Sequence, residues 1–480
     1  MNQLKYCVMT ISLNPIIRPG TAKYISIGNY LVECVRSGYL KPGTRLPTHR
    51  EFAEQIGVSV QTVSHAYGYA EKKGALESWV GNGTFVKSGF VDESTDTEFM
   101  LTQEMKETPD EIDMSIAHPV VTDRHITLFN QALMDIAGQT NNRSLISKAK
   151  PVTGQPHHIE SGARFLSSQG LDVGTDQILL TNGACHGLTL ALSTVVEHGD
   201  LVACGHLVDH GLISRSRMLG FKLQPLEMDE FGITPYAFEW ACKHKPIKRL
   251  CCTPSMANPN SAHMDISRRE AIANIAKQYE IYVIEDDVYG GGTRANRVPP
   301  LAALLPEQAF YVTSLTKVVA PGMRTGYLTV PRHFLQHAIG RLAATSWSAT
   351  PPLPFEVAHL WIENGTLNRL VRFQVNEFAK RQRIAKATLE GHVYSSHPNG
   401  QHIWLRLPEQ WSSDDLVASA KRSGVQITGG YKPFVLDTNQ PMPYVRISLG
   451  AETNRGYIKH GLSVIAEILD TNPPTSHFLV

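Results

Sequence analysis

The chain has 480 residues, which is too many for one ordinary hydrophobic core and predicts at least two structural units. It contains no apolar run long enough to span a membrane and no predicted signal peptide, and its formal net charge of +1 excludes a uniformly basic or acidic chain. The seven cysteines are scattered, odd in number and form no CxxC pair, which argues against a disulfide framework and a zinc site and favours a reducing, cytoplasmic compartment.

The first ninety residues are more basic than the rest. They carry 6 Lys and 4 Arg against 5 Glu, a charge of +5, which leaves −4 for the remainder. Apolar residues at helical spacing predict a first helix over residues 24–37. Thr48 and Glu51 form a capping box that opens a second helix, and Ser59 caps a third over residues 60–72. Two helices joined by a glycine-containing turn predict a helix-turn-helix unit that binds double-stranded DNA.

The N-terminal part of the third helix is the part of such a unit that enters the major groove. The side chains predicted to contact DNA there are Ser59, Gln61, Thr62, Ser64 and His65. The residues predicted to face the core are Val63, Ala66 and Tyr67. The following run ALESWVGNGTFV predicts two short strands joined by a Gly-Asn-Gly turn, which together form a wing. Phosphate contacts are predicted for Arg45, Arg50 and Lys87.

The sequences RLPTHREFAEQIGVS, TV and GNGTFV resemble the GntR family of regulators over about residues 20–87. This resemblance implies a winged helix-turn-helix DNA-binding domain, which we assign to residues 1–87. One position departs from the family pattern. Val60 stands where the family often has an Arg that contacts DNA, which leaves the sequence preference of this chain open.

Residues 88–111 are polar, acid-rich and weakly periodic, which predicts a linker. From residue 112 to residue 480, apolar strand-like runs alternate with amphipathic helical segments. The clearest runs are Gln177–Leu180, Lys248–Cys252, Tyr282–Glu285 and Phe310–Thr313. This alternation predicts an α/β fold with a mainly parallel sheet, in which functional groups gather at the strand ends.

A lysine with suggestive neighbours lies in the segment YVTSLTKVVAPGMRTGYL. Lys317 follows a predicted strand, and the Ser314 hydroxyl and Arg324 guanidinium on either side of it suit a phosphate. Upstream, IYVIEDDVY places Asp286 at the end of a strand and Tyr289 just beyond it. A lysine for a Schiff base, an acid for a pyridine nitrogen, a phenol for the ring hydroxyl and donors for a phosphate are what pyridoxal 5'-phosphate (PLP) needs. The pattern therefore predicts a PLP site.

Three further segments add to this site. Asn258 in TPSMANP is predicted to reach the ring hydroxyl, and Gly183, Ala184 and Cys185 begin a helix whose free N–H groups can bind phosphate. Arg446 lies in the otherwise apolar predicted strand of PYVRISLG. A buried Arg is costly unless it is paired, so its partner is either the carboxylate or sulfonate of an effector or an internal protein carboxylate.

In order and spacing, these elements resemble the fold type I aminotransferases over about residues 112–470. A GntR-like head on such a body resembles the MocR subfamily of regulators. The resemblance implies a large sheet domain with a small C-terminal α+β domain, PLP bound to Lys317 as a Schiff base, and a homodimer whose sites lie near the subunit interface. It also implies that the head of one subunit packs against the body of the other.

Three stretches depart from the aminotransferase pattern. Asn258-Pro259 is followed by Asn-Ser-Ala instead of a small Thr/Leu-Gly step. ACGHLVDHGL has no Tyr, Phe or Trp to stack on the cofactor ring, so either His206 or His210 stacks there or nothing does. KPVTGQPHHIESGAR lacks the usual Tyr and Leu-Arg. The PLP anchor is intact, but these changes disfavour efficient turnover.

Two functional interpretations follow, and the presence of Lys317 is compatible with both. In the first, the chain is a transcription regulator: an amino-acid-like or amino-sulfonate effector forms an external aldimine and places its acid group on Arg446, although PLP itself as the signal stays open. In the second, the chain is a working aminotransferase with an accessory DNA-binding head. The head and the departures favour the regulator. A body that has lost PLP and only dimerises is disfavoured, because the cofactor residues are retained.

Overall fold

The computed structural model describes residues 22–36, 40, 43–79, 83–87, 111–139, 147, 151–291, 298–346, 351–430, 436, 443–471 and 473. The chain divides into two compact units, a head within Met1–Glu104 and a body formed by Met105–Asp437 with Pro441–Val480. The predicted linker at 88–111 lies outside the described residues apart from Glu111, so the domain boundaries stay a prediction. No helix within the described ranges is long and apolar enough to cross a membrane.

The head consists of three helices and a hairpin, which are α1 (Lys23–Arg36), α2 (His49–Ile56), α3 (Val60–Lys72), β1 (Leu76–Trp79) and β2 (Gly83–Val86). Both α1 and α2 pack on α3. Val63, Ala66 and Tyr67 of α3 are buried, as predicted, against Ile27 of α1 and Phe52 of α2. This apolar core fixes which side of α3 faces outward.

The ends of α2 and α3 carry the caps that the sequence predicts. Thr48 Oγ1 accepts a hydrogen bond from the Glu51 N–H at 3.3 Å, and Glu51 Oε2 accepts one from the Thr48 N–H at 2.8 Å. Gly57 ends α2 at a φ of 66°, a left-handed conformation that favours glycine. Ser59 Oγ accepts a hydrogen bond from the Thr62 N–H at 3.1 Å at the start of α3. The predicted helix-turn-helix is confirmed.

The hairpin follows α3 as the wing prediction requires. Strands β1 and β2 pair antiparallel, with Leu76 opposite Val86. Arg45 forms an isolated bridge with Phe85, which joins the segment before α2 to the hairpin. The two strands are confirmed, whereas the Gly-Asn-Gly turn between them includes residues 81 and 82, which lie outside the described residues.

The strands of the body form one large and one small sheet, together with two short pairs. They are β3 (Ile112–Asp113), β4 (Ile178–Asn182), β5 (Leu201–Gly205), β6 (Lys222–Leu226), β7 (Met228–Asp229), β8 (Gly232–Ile233), β9 (Arg249–Cys252), β10 (Tyr282–Asp286), β11 (Ala309–Ser314), β12 (Thr325–Thr329), β13 (Tyr394–Ser395), β14 (His402–Arg406), β15 (Val425–Gln426), β16 (Thr428–Gly429) and β17 (Tyr444–Ser448). The large sheet has the order β4-β12-β11-β10-β9-β5-β6. Only the pairs that β12 makes with β4 and β11 are antiparallel, which confirms the prediction of a mainly parallel sheet.

Helices cover both faces of the large sheet. The helices of the body are α4 (Asp123–Ala137), α5 (Pro156–Ser168), α6 (Gly183–Val195), α7 (His210–Leu219), α8 (Pro235–His244), α9 (Ile266–Gln278), α10 (Leu301–Leu304), α11 (Leu335–Ser346), α12 (Pro352–Glu363), α13 (Thr366–Thr388), α14 (Ser413–Arg422) and α15 (Arg455–Leu469). Because side chains alternate along a strand, Leu179 and Val312 join one apolar core while Leu180 and Tyr311 join the other.

The small C-terminal sheet has the order β13-β14-β17-β16 and packs with α14 and α15 around a third apolar core. Strand β3 comes from the start of the body but pairs in parallel with β15, where Ile112 lies opposite Val425. The small α+β domain that the resemblance implies is thus confirmed. Its first strand directly follows the predicted linker, which brings that end of the chain into the same domain as Arg446 of β17.

Candidate cofactor and effector site

The polar residues predicted to bind a cofactor gather at one edge of the large sheet. Strands β10 and β11 run parallel and end there at Asp286 and Ser314. Ser314 lies opposite Gly326 of β12, which in turn lies opposite Thr181 near the end of β4. Lys317 follows β11 by three residues. The carboxyl edge of a parallel sheet is where α/β proteins bind ligands, so the fold brings distant residues to one place.

The start of α6 offers backbone donors to an anion. Gly183 has a φ of 74°, and a Cβ on it would lie 3.3 Å from Arg324 Cζ. Arg324 is held there by a hydrogen bond from Nη2 to the Asn182 carbonyl at 3.3 Å. The N–H groups of Gly183, Ala184 and Cys185 belong to the first turn of α6 and have no acceptor within the helix. These donors and the guanidinium together fit a phosphate group.

Ser314, the third predicted phosphate ligand, is fully buried. Its Oγ donates a hydrogen bond to Thr316 Oγ1 at 2.6 Å and accepts one from the Thr316 N–H at 2.9 Å. These bonds fix the turn that leads to Lys317. A direct contact of Ser314 with phosphate therefore stays a prediction.

The Lys317 side chain is half-buried, and its amine is held by the crossing of the chain near Ala117. Its Nζ donates a hydrogen bond to the Ala117 carbonyl at 2.6 Å. Burial and the nearby Arg446 lower the pKa of the Lys317 amine to about 8. About a tenth of the amine is therefore neutral at pH 7, and the neutral amine is the form that can attack a carbonyl.

Asp286 supplies the acid expected beside a pyridine nitrogen. It is buried, and its Oδ1 accepts a hydrogen bond from the Val288 N–H at 3.2 Å. Burial and the neighbouring Asp209 raise the pKa of Asp286 to about 7. A protonated ring nitrogen beside this carboxyl would hold it ionised. Tyr289 is buried nearby, and burial raises the pKa of its phenol well above the ordinary value, so it stays neutral.

A chain of hydrogen bonds joins three of the site residues. Asn258 Nδ2 donates to Asp209 Oδ2 at 2.7 Å, and Arg446 Nη1 donates to Asn258 Oδ1 at 3.0 Å. Burial alone would raise the pKa of Asp209, but His210 and the Gly211 N–H counter it and hold that pKa at about 2. Asp209 is therefore an ionised carboxylate inside the site. Asp209 was not among the site residues predicted from the sequence, because an acid that caps α7 suggests only a structural role.

Arg446 is buried in the middle of β17. Besides Asn258, its guanidinium donates to the Ser115 carbonyl and, from Nη2, to Thr428 Oγ1 at 3.3 Å. All three of these acceptors are uncharged. Two carboxylates, Asp209 and Asp113, also act electrostatically on Arg446. Both alternatives for its partner, an effector acid or a protein carboxylate, therefore stay open, and the effector role of Arg446 stays a prediction.

The first part of the body crosses the site, and we call residues 112–120 the crossing segment. Three successive carbonyls of this segment accept hydrogen bonds: Ser115 from Arg446, Ile116 from Ser448 Oγ, and Ala117 from Lys317. Backbone carbonyls carry no residue-type signal, so these contacts could not be predicted from the sequence. The segment links both of the predicted ligand-binding cations to the part of the chain nearest the linker.

A pocket lies beside Asp209, Asn258 and Asp286. Its lining, as far as the structure describes it, includes no Tyr, Phe or Trp. His210 Nδ1 lies 3.7 Å from Asp209 Oδ2, and His206 Nδ1 lies 3.4 Å from the Leu226 carbonyl. Both histidines thus have polar neighbours, and stacking of either on a cofactor ring stays a prediction.

The residues predicted to contact DNA lie on the outside of the head. Gln61, Ser64 and His65 of α3 are exposed, as are the more distant Arg45, Arg50 and Lys87. The hydroxyls of Ser59 and Thr62 lie 2.8 Å apart and are used in the cap of α3. These two side chains therefore position the helix end, and their contact with DNA stays a prediction.

Comparison with known proteins covers both units. Residues 120–465 match the family described as aminotransferase class I and II, and residues 23–86 match the bacterial regulatory proteins of the gntR family. The HTH-type transcriptional regulator YdeF of Bacillus subtilis is 27% identical over 448 residues, which cover 93% of this chain and 94% of the relative. The probable rhizopine catabolism regulatory protein MocR of Rhizobium meliloti is 25% identical over 415 residues, or 81% of this chain and 80% of the relative.

A solved structure of kynurenine aminotransferase from Pyrococcus horikoshii resembles the body. The TM-score is 0.70 at 19% sequence identity, over 79% of this chain and 95% of that chain. At this identity the likeness shows the fold alone. The family matches and this likeness together confirm the predicted combination of a GntR-type head with a body of the aminotransferase fold.

Proposed function

The chain belongs to the aminotransferase class I and II family and carries a gntR-type head, and from this premise we propose that it is a PLP-dependent, DNA-binding transcription regulator of the MocR type. Its effector is an amino acid or an amino sulfonate. Its relatives YdeF and MocR are named as regulators, which supports this role over an enzymatic one. We further propose that it acts as a homodimer, which would present two heads to an operator.

PLP is the cofactor of this family, and the donor set of the site suits it. When bound, PLP supplies an aldehyde that condenses reversibly with primary amines. Lys317 is the amine that would hold it, and Asp286 would pair with its ring nitrogen. The phosphate would lie on the first turn of α6 beside Arg324, with Ser314 behind it. Tyr289 and Asn258 are the candidates for the ring hydroxyl.

The effector subsite consists of Arg446 and the residues bonded to it. A buried guanidinium that already donates to neutral oxygens can also bind a carboxylate or a sulfonate, since a charge-assisted bond is stronger than a neutral one. The ionised Asp209 lies two hydrogen bonds away through Asn258. The site therefore offers a positive charge on Arg446 and a negative charge on Asp209, which suits an effector that carries both an acid and an amine.

The observation that carries this proposal is the contact of the crossing segment with both cations. A ligand that engages Arg446 or the Lys317 amine must compete with the Ser115 and Ala117 carbonyls. The segment is joined to the head through residues 88–111, and we propose that a shift in these bonds alters the DNA-binding unit through this connection. A ligand can bias such an equilibrium only through different affinities for its two states, and these contacts would supply the difference.

The test combines cofactor absorbance with DNA binding. The PLP-loaded protein is titrated with amino acids and amino sulfonates while its affinity for DNA from its own upstream region is measured by fluorescence anisotropy. We expect one class of amine to change both signals, and both changes to disappear in Lys317→Ala. Lys459→Ala, on the exposed side of α15, is the matched control and should respond like the wild type. A response that persists in Lys317→Ala would refute the proposal.

A working aminotransferase is the second candidate, because the lowered pKa of Lys317 also suits a proton shuttle. The two functions differ in their product. Steady release of a keto acid or aldehyde with the same amines would identify an enzyme, whereas a saturable spectral change without such release would identify a sensor.

A further inference from the structure

Two helices of the body bring three metal-binding side chains together. Pro156 begins α5, and the next two residues are His157 and His158. Glu356 lies in the first half of α12, which packs against α5. The Nε2 atoms of His157 and His158 each lie 3.0 Å from Glu356 Oε1. All three ligand atoms fall within 4.8 Å of one another, which is close enough for a single ion to contact them together.

We propose that His157, His158 and Glu356 bind one divalent transition-metal ion of the zinc type. Two imidazoles and one carboxylate form a ligand set that such ions prefer, and three protein ligands leave one position open. Neutral imidazoles and an ionised carboxylate carry a charge of −1, which a divalent cation reverses. The site uses no cysteine and joins residues far apart in the sequence, so the expectation of no metal, which rested on cysteine spacing, did not address it.

The burial of the cluster favours a bound ion over a solvated surface network. His158 and Glu356 expose only 2% and 10% of their side chains, whereas His157 exposes 41%. An ion could therefore enter from the side of His157. Glu356 Oε1 lies between the two imidazoles, where an ion that contacts both histidines would also contact the carboxylate.

A second observation comes from His359 on the same helix. It follows Glu356 by three positions, so both side chains project from one side of α12. Its ring centroid lies 5.0 Å from that of His157, and its buried Nδ1 has no hydrogen-bond partner among the described residues. A buried histidine nitrogen without a hydrogen-bond partner beside the three ligands is a second observation that supports the assignment.

The ion would clamp α5 to α12. It would bind the folded chain and not the unfolded one, so its binding should raise the melting temperature. The proposal does not depend on the regulatory function, because neither Lys317 nor the DNA-binding residues take part in it.

The experiment measures zinc binding to the full-length, PLP-loaded protein without a histidine tag. After chelator treatment, zinc is added back against a colorimetric competitor, and bound zinc is counted after gel filtration. We expect one zinc per chain and a higher melting temperature with zinc. In His157→Ala the affinity should fall by about ten-fold or more. His157 is partly exposed, so this variant should fold normally, which circular dichroism and the PLP absorbance would verify.

Two further variants make the result specific. Glu356→Gln should lose zinc as His157→Ala does, and His460→Gln, an exposed histidine of α15, should bind zinc like the wild type. Lys317→Ala should also keep its zinc, which separates this site from the cofactor. The proposal is overturned if the wild type retains no zinc, or if His157→Ala and Glu356→Gln bind it as tightly as the wild type.

Discussion

The head and the body place their polar groups in opposite surroundings. The head keeps Gln61, Ser64 and His65 in solvent on one helix, above an apolar core. The body buries Asp209 and Arg446 and connects them through a shared partner, Asn258. Exposed groups that share no partner act additively, whereas buried groups in one network do not. We therefore expect substitutions in the head to lower DNA affinity by small, additive amounts. A single substitution in the buried network of the body should cause a large loss of stability or ligand affinity.

The largest expected effect is a loss of stability when a buried arginine of the body is replaced. Arg381 is fully buried on α13, where Nε donates to Glu377 Oε1 at 2.9 Å and Nη1 donates to the Leu449 carbonyl at 2.6 Å. Arg381→Met removes one of the two arginine partners of Glu377, which keeps Arg455. It also removes the buried donor to the carbonyls of Leu449, Glu452 and Thr453, so it should cost about 3–5 kcal/mol of unfolding free energy. Urea denaturation would measure the loss. Arg383→Met, an exposed neighbour on the same helix, should change the stability little.

The next effect concerns ligand affinity in the body. Arg446→Gln removes the buried charge proposed to hold the acid group of the effector. We expect a loss of about 2–5 kcal/mol in effector binding, measured by titration of the PLP absorbance. Arg406→Gln alters an exposed arginine on the adjacent strand β14 and serves as the control. Equal affinities in the two variants would contradict the role of Arg446.

The pH dependence of stability tests the buried carboxyl of the body. The pKa of Asp286 is raised from 3.8 to about 7 by burial and Asp209, so the folded protein without PLP holds this proton between about pH 4 and 7 while the unfolded chain releases it. The folded state binds more protons there, and stability should fall as pH rises through this window, by at most about 1.4 kcal/mol per pH unit. Asp286→Asn should flatten the slope, as thermal unfolding would show.

A smaller effect is expected from the DNA-binding face of the head. Gln61→Ala should reduce discrimination among operator variants by about 1–3 kcal/mol. Lys87→Ala should instead weaken binding to all sequences alike and lower the salt slope by about 1. Anisotropy titrations at several salt concentrations separate the two. If the losses in DNA-binding free energy add in the double variant, the two exposed groups act independently. Strong coupling between them would contradict the contrast drawn between the head and the body.

The smallest effect tests the local nature of the head. Thr48→Ala removes the hydroxyl that accepts the Glu51 N–H and should cost about 1 kcal/mol of stability. Glu54→Gln, an exposed change on the same helix, should be nearly neutral and is the matched control. Chemical denaturation of both variants provides the measurement. If Thr48→Ala lost as much stability as Arg381→Met, the polar groups of the head would depend on one another as strongly as those of the body.

The features of this molecule that could be predicted from its sequence are those determined by residues close together along the chain. The caps at Thr48 and Ser59 act within three residues, so their hydrogen bonds follow from the local sequence. The strand ends at Asp286 and Ser314 follow from apolar runs and the properties of parallel sheets. In each case residue type and spacing contain the necessary information.

The parts that sequence could not predict depend on contacts between distant positions. Asp209 joins the site because Asn258 is brought to it, and the Ala117 carbonyl joins because β3 pairs with β15. The cluster of His157 and Glu356 exists only because α5 packs on α12. Neither a backbone carbonyl nor a single histidine indicates, from the sequence alone, that it contacts a residue far away along the chain.

The crossing segment has a consequence for protein engineering. Although it directly follows the predicted linker, its carbonyls at Ser115 and Ala117 are structural parts of the ligand site. A chimera that fuses this body to a foreign DNA-binding domain should therefore be joined before residue 112. A junction after residue 120 would leave the large sheet complete but would remove β3 and the carbonyls that bond Lys317 and Arg446.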